Sequence, residues 1–336
     1  TQGVTMPDGT PFGRDSDFAT VMGSAAPGDP QMLAAWQAFA PLRTYLDQDE
    51  ELDRTDVIAA SVFTTQPTRE VLPAIRTAIH ATPAPEPIGL TLCEGDAVSP
   101  CDDGLSGEAH TRGCFAVAPT HHELHMRLAL PVVQKGDRPY LLPGQGGGVV
   151  RGADGAVQLQ GTEAVCVSVS IPKNRPMPDA GWPIAIYGHG TGGTFRSGMG
   201  VIAEALSSVT ISGTTVSAAV VAWDGPMHGS RRHSDLSPEG LFYNFANPVA
   251  AVGNLYQGAA DVFELVRTFR QLVVLAKDSP TGDEIRFDPG RVMHLGHSQG
   301  ATTGPLASPY EPNIKLNVWS GAGAGLVNSL LDKRAP

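Results

Sequence analysis

The run Gly296-His297-Ser298-Gln299-Gly300 constrains the fold more than any other stretch of the chain. It sets a serine between glycines two positions to either side, directly behind the apolar segment "RVMHL" and ahead of the small residues "ATTG". This G-x-S-x-G spacing is that of a sharp turn from a strand into a helix, in which the central residue takes a strained backbone and the glycines let strand and helix approach closely. A chain built around such a turn needs a sheet with helices packed on it.

The surrounding sequence supplies both. From residue 121, "ELHMRLALPVV" and "EAVCVSVSIP" show the two-residue alternation of antiparallel strands, separated by the glycine-rich "LPGQGGGVVRGADG". "WPIAIYGHGTGG" then runs from an apolar strand into a glycine loop, "FRSGMGVIAEALSS" reads as a helix, and "TTVSAAVVAWDGP" as a buried strand. In "YQGAADVFELVRTFRQLVVLAK", Val262, Val266, Phe269 and Val273 form an apolar stripe at helical spacing. "GRVMHLGHSQG" and "IKLNVWSGAG" add two further strands. Alternation of this kind predicts an α/β fold with a mostly parallel sheet covered on both faces.

Before residue 118 the pattern differs. "QMLAAWQAFAPLRTYLDQ" has helical periodicity, "DVIAASVFTT" reads as a strand, "TREVLPAIRTAIH" as a helix behind Pro67, and "ATPAPEPIG" as a spacer. The expectation is a small α+β or β-rich accessory region over 1–117, followed by the α/β domain over 118–336. A length of 336 residues is more than one ordinary core needs, which agrees with two domains.

With 41% hydrophobic and 17% charged residues the chain reads as globular. Its formal charge of -11, and the lack of a basic cluster longer than "SRRH", speak against a nucleic-acid partner. The longest apolar runs, such as "VSAAVVAW", are too short to cross a bilayer, so no integral membrane segment is expected. No charged start followed by an apolar core marks a signal peptide, as in a mature chain from which one has been removed.

Cys93, Cys101 and Cys114 lie around the polar loop "CEGDAVSPCDDGLSGEAHTRGC", which has little apolar surface to bury and so a use for covalent closure; Cys166 follows later. Two disulfides and a secreted or extracytoplasmic location are expected, with all three pairings open. Zinc fits poorly because the spacings lack C-x-x-C. Calcium on Asp96, Asp102, Asp103 and Glu108 fits less well than a solvated acidic loop, since the ligand order of a calcium loop is absent. The expectation is no metal and no cofactor.

A serine hydroxyl at its ordinary pKa is a poor nucleophile and needs a base. An acyl-transfer site also needs preorganised amides where negative charge develops on the attacked carbonyl. The loop "YGHGTGG", Tyr187 to Gly193, suits that second role. Its Thr191 amide, with Gly192 next, and the amide of Gln299 are the candidate oxyanion donors, while His189 and Gly190 support the loop. His294 belongs to the strand as a packed residue, and His297 is expected to point away from Ser298.

"YGHGTGG", "WDGPMHG" after the next strand, and "GHSQG" occur in that order with helices between them. With these motifs the chain from about residue 118 resembles the α/β-hydrolase superfamily, in particular bacterial secreted esterases and lipases with an extra N-terminal region. The resemblance implies Ser298 as nucleophile, the amides of Thr191 and Gln299 as oxyanion donors, and a small-molecule or lipid ester as substrate. The start "TQGVTMPDGTP" also looks like the middle of a bacterial surface β-domain.

One departure stands out. In this superfamily an acid and then a histidine follow the serine. Here only Glu311 and Asp332 follow Ser298 as acids, and no histidine does. Strands seven and eight are therefore expected to be missing, and the chain to be a portion of a longer protein, or one of two chains, with acid and histidine elsewhere. The alternative recruits His228 or His233, flanked by Asp224 and Asp235, from the loop after the fourth strand. Against it stands a lid or rim loop whose "SRRH" is solvated, with Asp224 and His228, together with Phe242, Tyr243 and Phe245 of "PEGLFYNFANPV", as candidate substrate-rim residues and satellite core as the other reading of those aromatics. The expected activity is a secreted serine hydrolase cleaving carboxylic esters through an acyl-enzyme. Peptidase or acyltransferase activity uses the same nucleophile, and a non-catalytic surface binding or structural protein with a decayed hydrolase domain is the reading from another class.

Overall fold

The computed structural model describes residues 5–10, 12–49, 53–63, 69–102, 112–114, 117–173 and 175–323; Asp103, Glu108 and Asp332 lie outside them. The chain forms two compact units, Thr1–Pro67 and Thr68–Pro336.

The first unit is helical among its described residues, with α1 (Ser16–Val21), α2 (Pro30–Ala38) and α3 (Ala40–Gln48). Asp15 and Asp29 cap the first two, their carboxylates accepting from backbone N–H groups that a helix start leaves without partners. The expected single helix over 31–48 is two, parted at Phe39, where Pro41 in the first turn of α3 has no N–H to continue the ladder. Buried Arg43 stacks on Trp36 and donates to the carbonyls of Val21 and Trp36. The strand expected over "DVIAASVFTT" is not formed by its described residues, nor is a β-rich region or surface β-domain. That run has no described neighbouring strand to pair with, and β-propensity without pairing does not make a strand.

The second unit begins with α4 (Val71–His80), whose Leu72, Ile75 and Ile79 are buried on one face and join the main core. Next come β1 (Ile88–Leu92), β2 (His121–Pro131), the hairpin β3 (Gln134–Gly136) and β4 (Gly146–Val149), and β5 (Thr162–Pro172). β6 (Trp182–Gly188) leads through α5 (Val201–Ser207) and the hairpin β7 (Val209–Ile211) and β8 (Thr214–Val216) to β9 (Ala219–Trp223). Then follow α6 (Pro238–Tyr243), α7 (Pro248–Phe269), β10 (Val273–Val274), β11 (Ile285–His297), α8 (Gly300–Ala307) and β12 (Ile314–Ser320).

The second compact unit takes in residues 68–117 as well, because α4 packs on α7, β1 pairs with β2, and disulfides tie the cysteine loop to the sheet. Cys93 is bonded to Cys114 and Cys101 to Cys166 on β5.

The main sheet is α/β and mixed. Its order is β1-β2-β5-β9-β6-β11, with β10 and β12 both on β11. β1, β2, β5 and β9 pair antiparallel in succession, whereas β9, β6, β11 and β12 run parallel. Alternate residues of the same strands serve the two faces, as the strand period requires. Ile184, Ile186, Val221 and Val292 meet α4 and α7, while Ala185, Val220 and Ala222 meet Met199 and Ala203 beside α5. α8 packs against α7 and β11. The chain therefore leaves β6 toward one face and the neighbouring β11 toward the other, which makes a topological switch point at the ends of these two strands.

Candidate active site

Gly188 and Gly296 are register partners in the pairing of β6 with β11, so the glycine loop and the elbow leave the sheet side by side. Ser298 has φ +51°, in the left-handed region that a side chain occupies only under strain. Three close contacts hold it there. A Cβ on Gly296 would run into Gly300, one on Gly300 would collide with the carbonyl oxygen of Gly188, and the Gly300 N–H donates to the carbonyl of His189 at 3.0 Å. The Ser298 N–H donates to the carbonyl of Ser320 on β12 at 2.8 Å. Ser298 is half-buried, and its Cβ lies 3.2 Å from the position a Cβ on Gly190 would take.

The glycine loop is a tight turn. Gly193 N–H returns to the carbonyl of Gly190 at 3.0 Å, and Gly192 has φ +83°, the sign a type II turn needs at its third residue. The Thr191 hydroxyl donates to Gln299 Oε1 at 3.1 Å, which brings the two candidate oxyanion residues together. Among the described residues the amides of Thr191 and Gln299 have no acceptor. Gly192 differs, because its N–H donates to His228 Nε2 at 3.0 Å and is committed there. His189 does support the loop: its Nε2 accepts from the Gly225 N–H at 3.0 Å and its Nδ1 faces the carbonyl of Gly190 at 2.8 Å.

His228 is not at a rim. It is fully buried, its Nδ1 donates to the carbonyl of Pro226 at 2.9 Å, and burial, aided by the nearby His189, pushes its pKa down to about 3. The ring stays neutral with both nitrogens occupied, which removes it as a base for Ser298. Asp224 is buried as well. Its carboxylate accepts from both terminal nitrogens of Arg112 at 3.1 and 2.6 Å and from the Phe195 N–H at 2.9 Å. Those contacts make it a strut of the loop after β9, not a substrate contact. Phe242 is buried with Tyr140, Met227 and Leu241, and Tyr243 packs on that cluster, whereas Phe245 is exposed. The aromatic segment is satellite core, with Phe245 alone at the surface.

The remaining groups are equally placed. His233 pairs with Glu163 and Arg138. His297 is exposed, while His294 is buried beneath the elbow, where desolvation lowers its pKa to about 4 and Trp319 donates to its Nδ1. Glu311 is buried on Arg76. Among the described residues the Ser298 hydroxyl has no hydrogen-bond partner.

Sequence reasoning missed the charged layer under these loops. Arg231 donates to Asp261 on α7, to Glu163 on β5 and to the carbonyl of Asp224. Burial opposes its charge, but the carboxylates of Asp261 and Glu163 outweigh that and hold the guanidinium more firmly protonated than usual. Arg112 on Asp224 is the second such pair. The one available signal was an Asp and a Glu at positions 261 and 264, in the middle of an apolar helix, where a charge needs a partner.

No protein-family model and no curated sequence matches the chain. Among solved structures, an acetyl xylan esterase from Paenibacillus sp. R4 is 12% identical over 76% of this chain and 60% of its own, with a TM-score of 0.39. Acetyl xylan esterase 1 from Thermoanaerobacterium sp. JW/SL YS485 is 13% identical over 75% of this chain and 57% of its own, with a TM-score of 0.39. A cold-adapted esterase from an Arctic intertidal metagenomic library is 16% identical over 60% of this chain and 61% of its own, with a TM-score of 0.33. The chain spans about three fifths of the length of these structures.

Proposed function

We propose that the protein is a serine hydrolase that cleaves carboxylic esters through an acyl-enzyme on Ser298. The observation that carries this reading is a serine at φ +51° beside a glycine turn, at the ends of two adjacent parallel strands whose connections leave on opposite faces. There the hydroxyl attacks the ester carbonyl and expels the alcohol, and the amides of Thr191 and Gln299 receive the oxygen as it gains charge, an interaction worth several kcal/mol in such sites. Water then releases the acid. Base and acid come from outside the described residues.

Two disulfides support an oxidising, extracytoplasmic location. No helix among the described residues is long and apolar enough to cross a membrane.

The test is Ser298→Ala against the unaltered protein, with hydrolysis of a short p-nitrophenyl ester and labelling by a fluorophosphonate as readouts. Turnover is expected to fall at least about 10³-fold, with labelling abolished. Undiminished turnover in the variant refutes the reading. An unaltered protein that neither turns over ester nor takes the label supports instead a non-catalytic binding protein.

A further inference from the structure

We propose that His189 and His228 form a reciprocal clasp that positions the oxyanion amides, each ring holding a backbone N–H of the other's loop. His189 follows β6 and takes the amide of Gly225 from the loop after β9; His228 lies in that second loop and takes the amide of Gly192 from the first, both at 3.0 Å. Each ring spends its other nitrogen on its own loop, His189 on the carbonyl of Gly190 and His228 on that of Pro226. The rings meet edge to face with centroids 4.8 Å apart, and both are buried.

The protonation state follows from the partners. A backbone N–H only donates, so Nε2 is bare in both rings, and a carbonyl only accepts, so Nδ1 carries the proton in both. Neither histidine has a nitrogen left to take a proton from Ser298.

What the clasp fixes is two successive peptide planes. The Gly190–Gly193 turn interconverts with other turn types by rotation of its central peptide, between Thr191 and Gly192. The bond from Gly192 to His228 holds that peptide, and the bond from His189 Nδ1 to the Gly190 carbonyl holds the preceding one, which carries the Thr191 N–H. The hydroxyl of Thr191 on Gln299 fixes the other side. His228 and His189 are positioning residues, acting through backbone atoms without touching substrate.

The consequence for rate rests on the reading of Ser298 as nucleophile; the geometry of the clasp does not. His228→Phe keeps the ring's bulk and removes the acceptor, whereas His228→Gln offers an oxygen near the Nε2 position. In the full chain, His228→Phe is expected to raise hydrogen exchange at the Gly192 amide about tenfold or more and to lower kcat about 10- to 100-fold, with KM within about threefold. His228→Gln restores both in large part. His189→Phe combined with His228→Phe costs no more in kcat than the worse single variant, as for groups acting as a unit.

Unchanged protection of Gly192 in His228→Phe overturns the clasp. So does equal loss of kcat in the Phe and Gln variants with near-UV circular dichroism intact, or loss of the acidic limb of the pH–rate profile in His228→Gln, which marks a base. If His228→Phe fails to fold, protection of Gly192 in His228→Gln decides, retained for the clasp and lost against it. If Ser298→Ala keeps full turnover, the hydrolase reading fails while the exchange measurements still judge the clasp.

Discussion

In the helical unit, acidic side chains work at the surface, with Arg43 the buried exception: Asp15 and Asp29 hold helix starts, and Asp47 meets Arg54 with half of its own side chain exposed. At the ends of β6, β9 and β11 the same residue types are buried and hold loops, with Asp224 on Arg112, Asp261 on Arg231, and two neutral histidines on backbone amides. Water replaces a lost partner in the first region and cannot in the second. A polar contact is optional where solvent competes for it and obligatory where solvent is excluded, because the group left behind keeps its full desolvation cost.

The largest test of that contrast is Arg231→Met, which strands the Asp261 carboxylate inside α7. Chemical denaturation should show a loss of about 3–5 kcal/mol, most of it recovered in Arg231→Met with Asp261→Leu. A single-variant loss under about 1 kcal/mol would erase the distinction between the two regions.

Acid gives the next effect. Folding lowers the pKa of His228 to about 3 and of His294 to about 4, from 6.5, so their stabilising contribution is complete above pH 6.5 and is lost as pH falls toward those values. In that window the unfolded chain binds the extra protons, and stability should fall by roughly 1.4 kcal/mol per pH unit for each histidine. The segment 1–67 contains no histidine. Hydrogen exchange between pH 6.5 and 4.5 should therefore accelerate in β6 and β11 well before it does in α2 and α3; parallel acceleration would contradict the assignment.

The smallest effect is at a helix end. Asp29→Ala should lower the stability of the helical unit by about 1 kcal/mol, read from exchange in α2. Asp47→Ala, at an exposed pair, should leave it unchanged.

What the sequence revealed of this molecule is what depends on period and on steric need. Alternation marks β2 and β5, the stripe on α7 runs through Val262, Val266 and Phe269, and the glycines at 296 and 300 announce the φ of Ser298 because no Cβ fits where Gly296 meets Gly300 and Gly300 meets Gly188. The clasp was invisible for the opposite reason. His228 is held by a backbone amide 36 positions away, and an amide carries no sequence identity. Phe242 and Asp224 look like rim residues as letters; burial alone makes one core and the other a strut. The place of β1 was hidden likewise, since it counts as part of the sheet only through its pairing with β2.

The backbone at position 298 prefers a residue with no side chain at all: glycine would take φ +51° without the roughly 1 kcal/mol that serine bears there. A search for heat-resistant variants that scored survival and nothing else would drift toward glycine at this position and discard the hydroxyl. Durability and reactivity pull this one site in opposite directions, so any engineering of the protein has to select for both together.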